Sequence, residues 1–420
     1  MRRVFVVLLA GVALACQAGA ADDESSTAME DASDEDESTS ASTTGTESSS
    51  TDTSSSEEST DTGDGSACGD GVPFPGRFCF ELEEFDPDET PGAGGYPLFV
   101  EEEGGGGRIY VCDAQIAWEV QLDGGKVASW EVFAAAPPGY CDFLPGPRAE
   151  SETSLFLSYA SGRAVAPIDM AATPPALGTF TEILPDSRSV SLLQLDEDPY
   201  PDLIVEPDET PGSFDIYLGT PELGLEQTDS MPMEYDLYFV HSIAADGETA
   251  RSIAAVDSQT DEAVLFDVDL TQGFVERYRY DDPFVAPYLN AARLGDGPRA
   301  ELISLSAAAS VSYLVVHTPV GQSDWEAQPR YMLQGGAIRS YFGDFDGDGD
   351  LDMASPDAIM NSVHLVEFDG ATPIDNQEDE FPEFFRGTLA TVADINYDGV
   401  DDVLWWDTNN DQMVIMRSNP

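Results

Sequence analysis

Short apolar or alternating runs recur through the chain and are divided by Gly, Pro and Asp. They lie at residues 78–80, 108–111, 117–122, 155–159, 214–218, 263–268, 311–316, 363–368 and 413–416. Runs this short, bounded by turn-forming residues, read as strands. No long stretch sustains a 3.6-residue apolar period, so helices are not expected. From about Gly76 to Pro420 the chain reads as all-β.

One acidic pattern recurs between the strands. Asp344, Asp346, Asp348 and Asp352 stand at positions 1, 3, 5 and 9 of the stretch 344–352, with Gly349 at position 6 and Met353-Ala354 following. Ca²⁺ is a hard cation that takes about six to eight oxygens, and carboxylates at alternate positions can wrap a tight turn around it. Gly349 permits the sharp bend. The expected ligands are the side chains of Asp344, Asp346, Asp348 and Asp352, with the Asp350 carbonyl. The competing reading is an acidic surface turn without metal, in which these carboxylates would repel one another. An EF-hand is excluded, because it needs a longer loop, a closing Glu and flanking helices, whereas Ser355-Pro356 follows here.

A second copy runs from Asp394 through Asn396 and Asp398 to Asp402, with Gly399 at position 6. Its expected ligands are those four side chains and the Val400 carbonyl; Asn396 removes one charge, so weaker binding is expected. A third copy keeps Asp196, Asp198 and Asp202 but has Gln194 at position 1 and Pro199 at position 6. It is a weaker candidate. Copies closing at Ser252 and Glu301 keep the rhythm and lose most ligands, so no ion is expected there. Fainter echoes fall at 152–157 and 108–111. The closing positions 202, 252, 301, 352 and 402 recur at about fifty residues, the mark of repeated supersecondary units.

These copies resemble the VCBS or FG-GAP type of repeat, whose pattern is Asp-x-Asp-x-Asp-Gly-x-x-Asp followed by two apolar residues. Residues 344–354 match it fully and 394–404 almost fully; the other copies match weakly. In that family each repeat is one blade of a β-propeller, as in the integrin α-subunit head. At a period near fifty, residues 76–420 make about seven such blades, so a seven-bladed β-propeller over residues 68–420 is expected. Each blade alone would expose an apolar face that stacking around an axis buries. After Asp402 less than a full blade remains, so the missing outer strand is expected from the N-terminal side, around residues 78–82.

Residues 1–20 read as an export signal, with Arg2-Arg3 before an apolar core too short to span a bilayer. Two cleavage readings stay open: lipoprotein cleavage before lipidated Cys16, which is favoured, and an ordinary small-x-small site at Ala18-Gly19-Ala20. Residues 21–67 are almost wholly Ser, Thr, Asp, Glu and Gly and are expected to form a disordered acidic linker. Loss or lipidation of Cys16 leaves Cys68, Cys79, Cys112 and Cys141. An even number in an exported chain implies disulfides. Of the three pairings, Cys68–Cys79 and Cys112–Cys141 are nearest in sequence; zinc is the competing use, without a Cys-x-x-Cys motif to support it.

Net charge is -64, from 17 Lys plus Arg against 81 Asp plus Glu. Nucleic acid is excluded as a partner, because phosphate binding needs basic patches. Catalytic signals are poor. His241, His317 and His364 are far apart and lie in or beside apolar runs, which makes them structural. Neither Gly-x-Ser-x-Gly nor His-Glu-x-x-His occurs. Acid pairs are so frequent that no single pair can be singled out. Trp118, Trp130, Trp325, Trp405 and Trp406 could stack on a sugar at a propeller mouth, although Trp405 and Trp406, being adjacent, face opposite sides of a strand. The favoured function is a calcium-stabilised binding or adhesion module for a protein or glycan. It is expected as a monomer at the outer membrane or cell surface, touching the membrane only through a lipid anchor; with ordinary signal cleavage it would instead be secreted and soluble. The alternative is an exported polysaccharide lyase or hydrolase on the same scaffold.

Overall fold

A computed structural model describes residues 78–418 apart from a set of intervals, the longest being 85–96, 145–154, 170–175, 282–287 and 381–386. The expected leader, the linker, Cys16 and Cys68 lie outside the described residues. Every regular element described is a strand, and the strands form seven antiparallel sheets of four or five. The expected runs fall on strands, except that the first run precedes its strand: Phe78 and Cys79 are buried just ahead of Phe80–Glu84.

Most sheets are meanders in which sequence neighbours pair. In the fourth, Leu237–Ile243, Ser252–Asp257, Glu262–Asp269 and Gly273–Tyr280 lie side by side in that order. The second strand is buried at all six positions, whereas the last is half-buried or exposed throughout. The second strands Asp352–Asp357 and Asp402–Asp407 of the sixth and seventh sheets are equally buried. A strand buried on alternating faces has a neighbouring sheet against each face, which explains its apolar run.

The buried clusters bridge successive sheets. Ile204 and Ile216 of the third sheet meet Ile253 and Val264 of the fourth. Leu265 of the fourth meets Leu302 of the fifth, Ile303 of the fifth meets Met353 of the sixth, and Leu365 of the sixth meets Trp405 of the seventh. The last sheet then packs on the first, with Trp406, Leu404 and Ile415 against Ile109, Val111 and Val120.

The seventh sheet contains both ends of the described chain. Gly387–Ala393, Asp402–Asp407 and Gln412–Ser418 are followed by Phe80–Glu84, whose Phe80 pairs with Ser418 and Glu84 with Val414. The outer strand thus comes from the N-terminal side.

Trp405 and Trp406 do face opposite ways, yet both are fully buried, because each face of their strand is covered by a different sheet. Trp405 packs edge-on to Tyr341 at 5.2 Å. Trp325 is also buried, with Arg299 stacked 3.8 Å above its ring. None of these three presents a face for a sugar. The side chains of Trp118, Trp130, Cys112 and Cys141 lie outside the described residues, and so do the disulfide pairings.

Candidate metal centre

The acidic stretches all join the first strand of a sheet to its buried second strand. In the sixth sheet the loop leaves Tyr341–Gly343 and enters at Asp352. Its turn is built by the acids themselves. The Asp344 carboxylate accepts the Gly347 N–H at 2.7 Å and the Gly349 N–H at 3.0 Å. Asp346 accepts from Asp348 at 3.1 Å, and Asp348 from Asp350 at 2.9 Å. Side chains bonded to amides two residues on make successive tight turns, and Gly349 takes a φ of +96°. Among the described residues, the group of three acids whose ligand oxygens lie within 4.8 Å of one another is Asp344, Asp346 and Asp348.

Asp352 has a different position from these three. It is buried, and its Oδ2 accepts the Phe345 N–H at 3.0 Å, stapling the end of the loop to its start. The same staple recurs at position 9 elsewhere: Asp402 to Ile395 at 2.9 Å, Asp202 to Leu195 at 2.6 Å and Glu301 to Leu294 at 2.9 Å. In two sheets the second oxygen is also engaged, Asp402 with the Ser418 N–H at 2.8 Å and Asp202 with the Gly219 N–H at 3.0 Å. Position 9 therefore has a structural task that holds whether or not a metal is near. The recurrence of an acid there was visible in the sequence; its target amide was not.

The seventh sheet repeats the turn. Asp394 accepts from Asp398 at 3.0 Å and Gly399 at 2.9 Å; Asn396 Oδ1 accepts from Asp398 at 3.0 Å, and Asp398 from Val400 at 2.9 Å. Asn396 donates its amide to the second Asp398 oxygen at 2.9 Å. Position 4 has positive φ in both loops, +78° at Gly347 and +63° at Tyr397. Tyr397 is a bulky residue in a conformation that costs roughly 1–2 kcal/mol. The loops of sheets six and seven are joined directly. Asp344 N–H donates to Asp401 Oδ2, and Asp401 N–H to the Asp344 carbonyl, both at 2.9 Å.

Electrostatics describe a centre short of positive charge. Burial, reinforced by Asp346, Asp348 and Asp344, pushes the Asp352 carboxyl up to about 9. Burial also raises Asp402 to about 8, Asp401 to about 7 and Asp344 to about 6, each with neighbouring carboxylates adding to the shift. Asp394 is raised for the same reasons. Like charges and desolvation both oppose ionisation. A divalent cation would reverse that balance, and all-oxygen hard donors suit Ca²⁺. The residues present fit such an ion at Asp344, Asp346 and Asp348, with Asp350 exposed at the rim. Asp394, Asn396 and Asp398 form the matching set in the next sheet, with Val400 buried beside them.

The third-sheet loop is built differently. Asp198 N–H bonds Asp196 at 3.0 Å and Tyr200 N–H bonds Asp198 at 2.8 Å, so the turns persist. The fully buried Gln194, however, turns its amide nitrogen into the loop, 3.4, 2.7 and 3.2 Å from the carbonyls of Asp196, Asp198 and Tyr200. The carbonyls that could face an ion face this amide. In the fourth-sheet loop, residues 246–250 lie outside the described residues.

All three histidines are buried. His241 stacks on Tyr288 with its Nε2 2.6 Å from the Leu289 carbonyl. His317 lies 2.9 Å from both Ser304 and Tyr278 hydroxyls, and His364 lies 3.4 Å from Asp357. They belong to three separate sheets.

No family model matches the chain, and no curated protein matches it. Among solved structures it is similar to the β-propeller domain of Myceliophteria thermophila Cps50 (Swd1), at 9% identity and a TM-score of 0.51, over 80% of this chain and 99% of that one. A protein from Lactobacillus plantarum aligns at 13% identity and a TM-score of 0.44, over 66% of this chain and 83% of that one. The fold is an all-β propeller built of repeats.

Proposed function

We propose that this chain is an exported, calcium-stabilised, seven-bladed β-propeller of the VCBS or FG-GAP type. Its role is to present a binding or adhesion surface to a protein or glycan ligand. The observation that carries the reading is the convergence of Asp344, Asp346 and Asp348 in a loop whose turns their own carboxylates hold. A second set, Asp394, Asn396 and Asp398, sits in the neighbouring blade and is bonded to the first through Asp401. Such an ion neutralises crowded acids and fixes the strand-to-strand connection; its part is structural. The rest of the reading is attachment through lipidated Cys16, an extended acidic linker, and a monomeric propeller held clear of the membrane.

The test has two arms. Calorimetric titration of the purified protein with CaCl₂, and melting in calcium against EGTA, address the ion. Uptake at two loops and a higher melting temperature in calcium are expected; unchanged melting together with no heat of uptake would refute it. A glycan array with and without calcium, run beside an activity screen on polysaccharides, addresses the role. Turnover of a polysaccharide would replace the adhesion reading with the enzymatic one.

A further inference from the structure

The loop of the third blade keeps the turn of its relatives but fills it from within. In blades six and seven, position 1 is an Asp whose carboxylate accepts two backbone N–H groups, one of them from the glycine at position 6. In blade three, position 6 is Pro199. Proline brings no N–H and holds φ near about −65°, so a position-1 carboxylate would lose a donor it uses elsewhere. Position 1 is instead Gln194, fully buried. Its Nε2 faces the carbonyl oxygens of Asp196, Asp198 and Tyr200, which are positions 3, 5 and 7. Carbonyl oxygens converging on one point are what a hard cation wants; an amide NH₂ offers the same oxygens a neutral donor.

We infer that Gln194 is a built-in substitute for the ion, and that positions 1 and 6 together decide whether a loop of this repeat is filled by calcium or by its own side chain. The inference rests on the calcium reading of blades six and seven. Blade three is then locked at every calcium concentration, while blades six and seven respond to it. The acids Asp196 and Asp198 remain because they hold the turns: each accepts an N–H two residues on.

The experiment counts bound ions by calorimetry and equilibrium dialysis with CaCl₂, and measures melting in calcium and in EGTA. Wild type is expected to bind two ions per chain, and Asp198→Ala to leave that number unchanged. Gln194→Ala should lower melting by the same amount in calcium and in EGTA. Gln194→Asp combined with Pro199→Gly should bind one ion more than wild type and melt lower in EGTA than in calcium by a wider margin. Loss of one ion in Asp198→Ala would overturn the role given to Gln194. So would a folded double variant that keeps the wild-type ions and gains none. No uptake by wild type would instead refute the calcium reading of blades six and seven, so the two failures are told apart.

Discussion

Two acids of neighbouring repeats, Asp402 at position 9 of one loop and Asp348 at position 5 of the other, should fail in opposite ways when removed. Asp402 gives one oxygen to the Ile395 N–H and the other to the Ser418 N–H, at 2.9 and 2.8 Å, and is wholly buried. Asp402→Ala leaves two buried donors without a partner. Each such loss costs about 1–3 kcal/mol, so the variant should lose about 4 kcal/mol, and it should lose it in EGTA as well as in calcium. Asp348 is exposed and accepts one N–H, from Asp350. In EGTA its removal should cost about 0.5 kcal/mol, offset by relief of repulsion from Asp344 and Asp346. In calcium the same variant forfeits what the ion supplies to the folded state, about 2.7 kcal/mol at a hundredfold excess over Kd. Calorimetric melting of wild type and both variants, with and without calcium, fills the four comparisons. If the cost of Asp402→Ala vanished in EGTA, the staple would be an ion ligand first, and the division of tasks argued from its geometry would be wrong.

Burial holds the His317 imidazole at about 4, below its ordinary 6.5, so the folded state keeps it neutral. Its contribution is complete above pH 6.5 and is lost as pH falls towards 4, worth about 3 kcal/mol in all. The stability gap between wild type and His317→Gln should therefore narrow over that window, and a constant gap in urea titrations would contradict it. Gly107 has Phe99 ring atoms 2.2 Å and the Tyr397 hydroxyl 2.7 Å from where a Cβ would stand. Gly107→Ala should cost about 1–3 kcal/mol by overpacking at the seam of the first and last blades; unchanged denaturation would show that the seam yields. Peptide mapping without reduction is expected to link Cys68 to Cys79 and Cys112 to Cys141, and a Cys79 to Cys112 peptide would overturn that pairing.

The inner strands and the fifty-residue spacing were legible because those strands carry an apolar signal and several of the loops between them carry acids; an outer strand such as Thr372–Glu380, which carries no such signal, was not. The closing strand pairs as expected, Phe80–Glu84 lying beside Gln412–Ser418. For Trp405 and Trp406, alternation told only that the two side chains diverge. That both directions end in protein follows from a sheet packed on each face, which no local pattern records. The grouping of Asp344, Asp346 and Asp348 was legible in their alternate spacing. The separate task of position 9 was not, since an Asp that binds an amide and an Asp that binds an ion are written alike. Gln194 is the harder case. It reads as a lost ligand, and only the three carbonyls around its amide reveal a replacement.

The loop at 394–402 lies in the sheet that seals the ring, and the loop at 344–352 in its neighbour. Six sheets are continuous in sequence, but the seventh is completed by a strand from the other end of the chain, so pairing between Phe80–Glu84 and Gln412–Ser418 must hold what a connecting loop holds elsewhere. The loop at 394–402 reaches that pairing directly. Asp402 bonds the backbone of Ser418, the Ser418 hydroxyl donates to the Asp401 carbonyl, and Ser418 is the residue opposite Phe80. Asp401 is in turn tied twice to Asp344. Backbone groups fixed by these acids thus run in one path from the loop of the sixth blade to the closing strand. At the seam, anything that orders Asp344 and Asp394 also orders the residues that clamp the last strand.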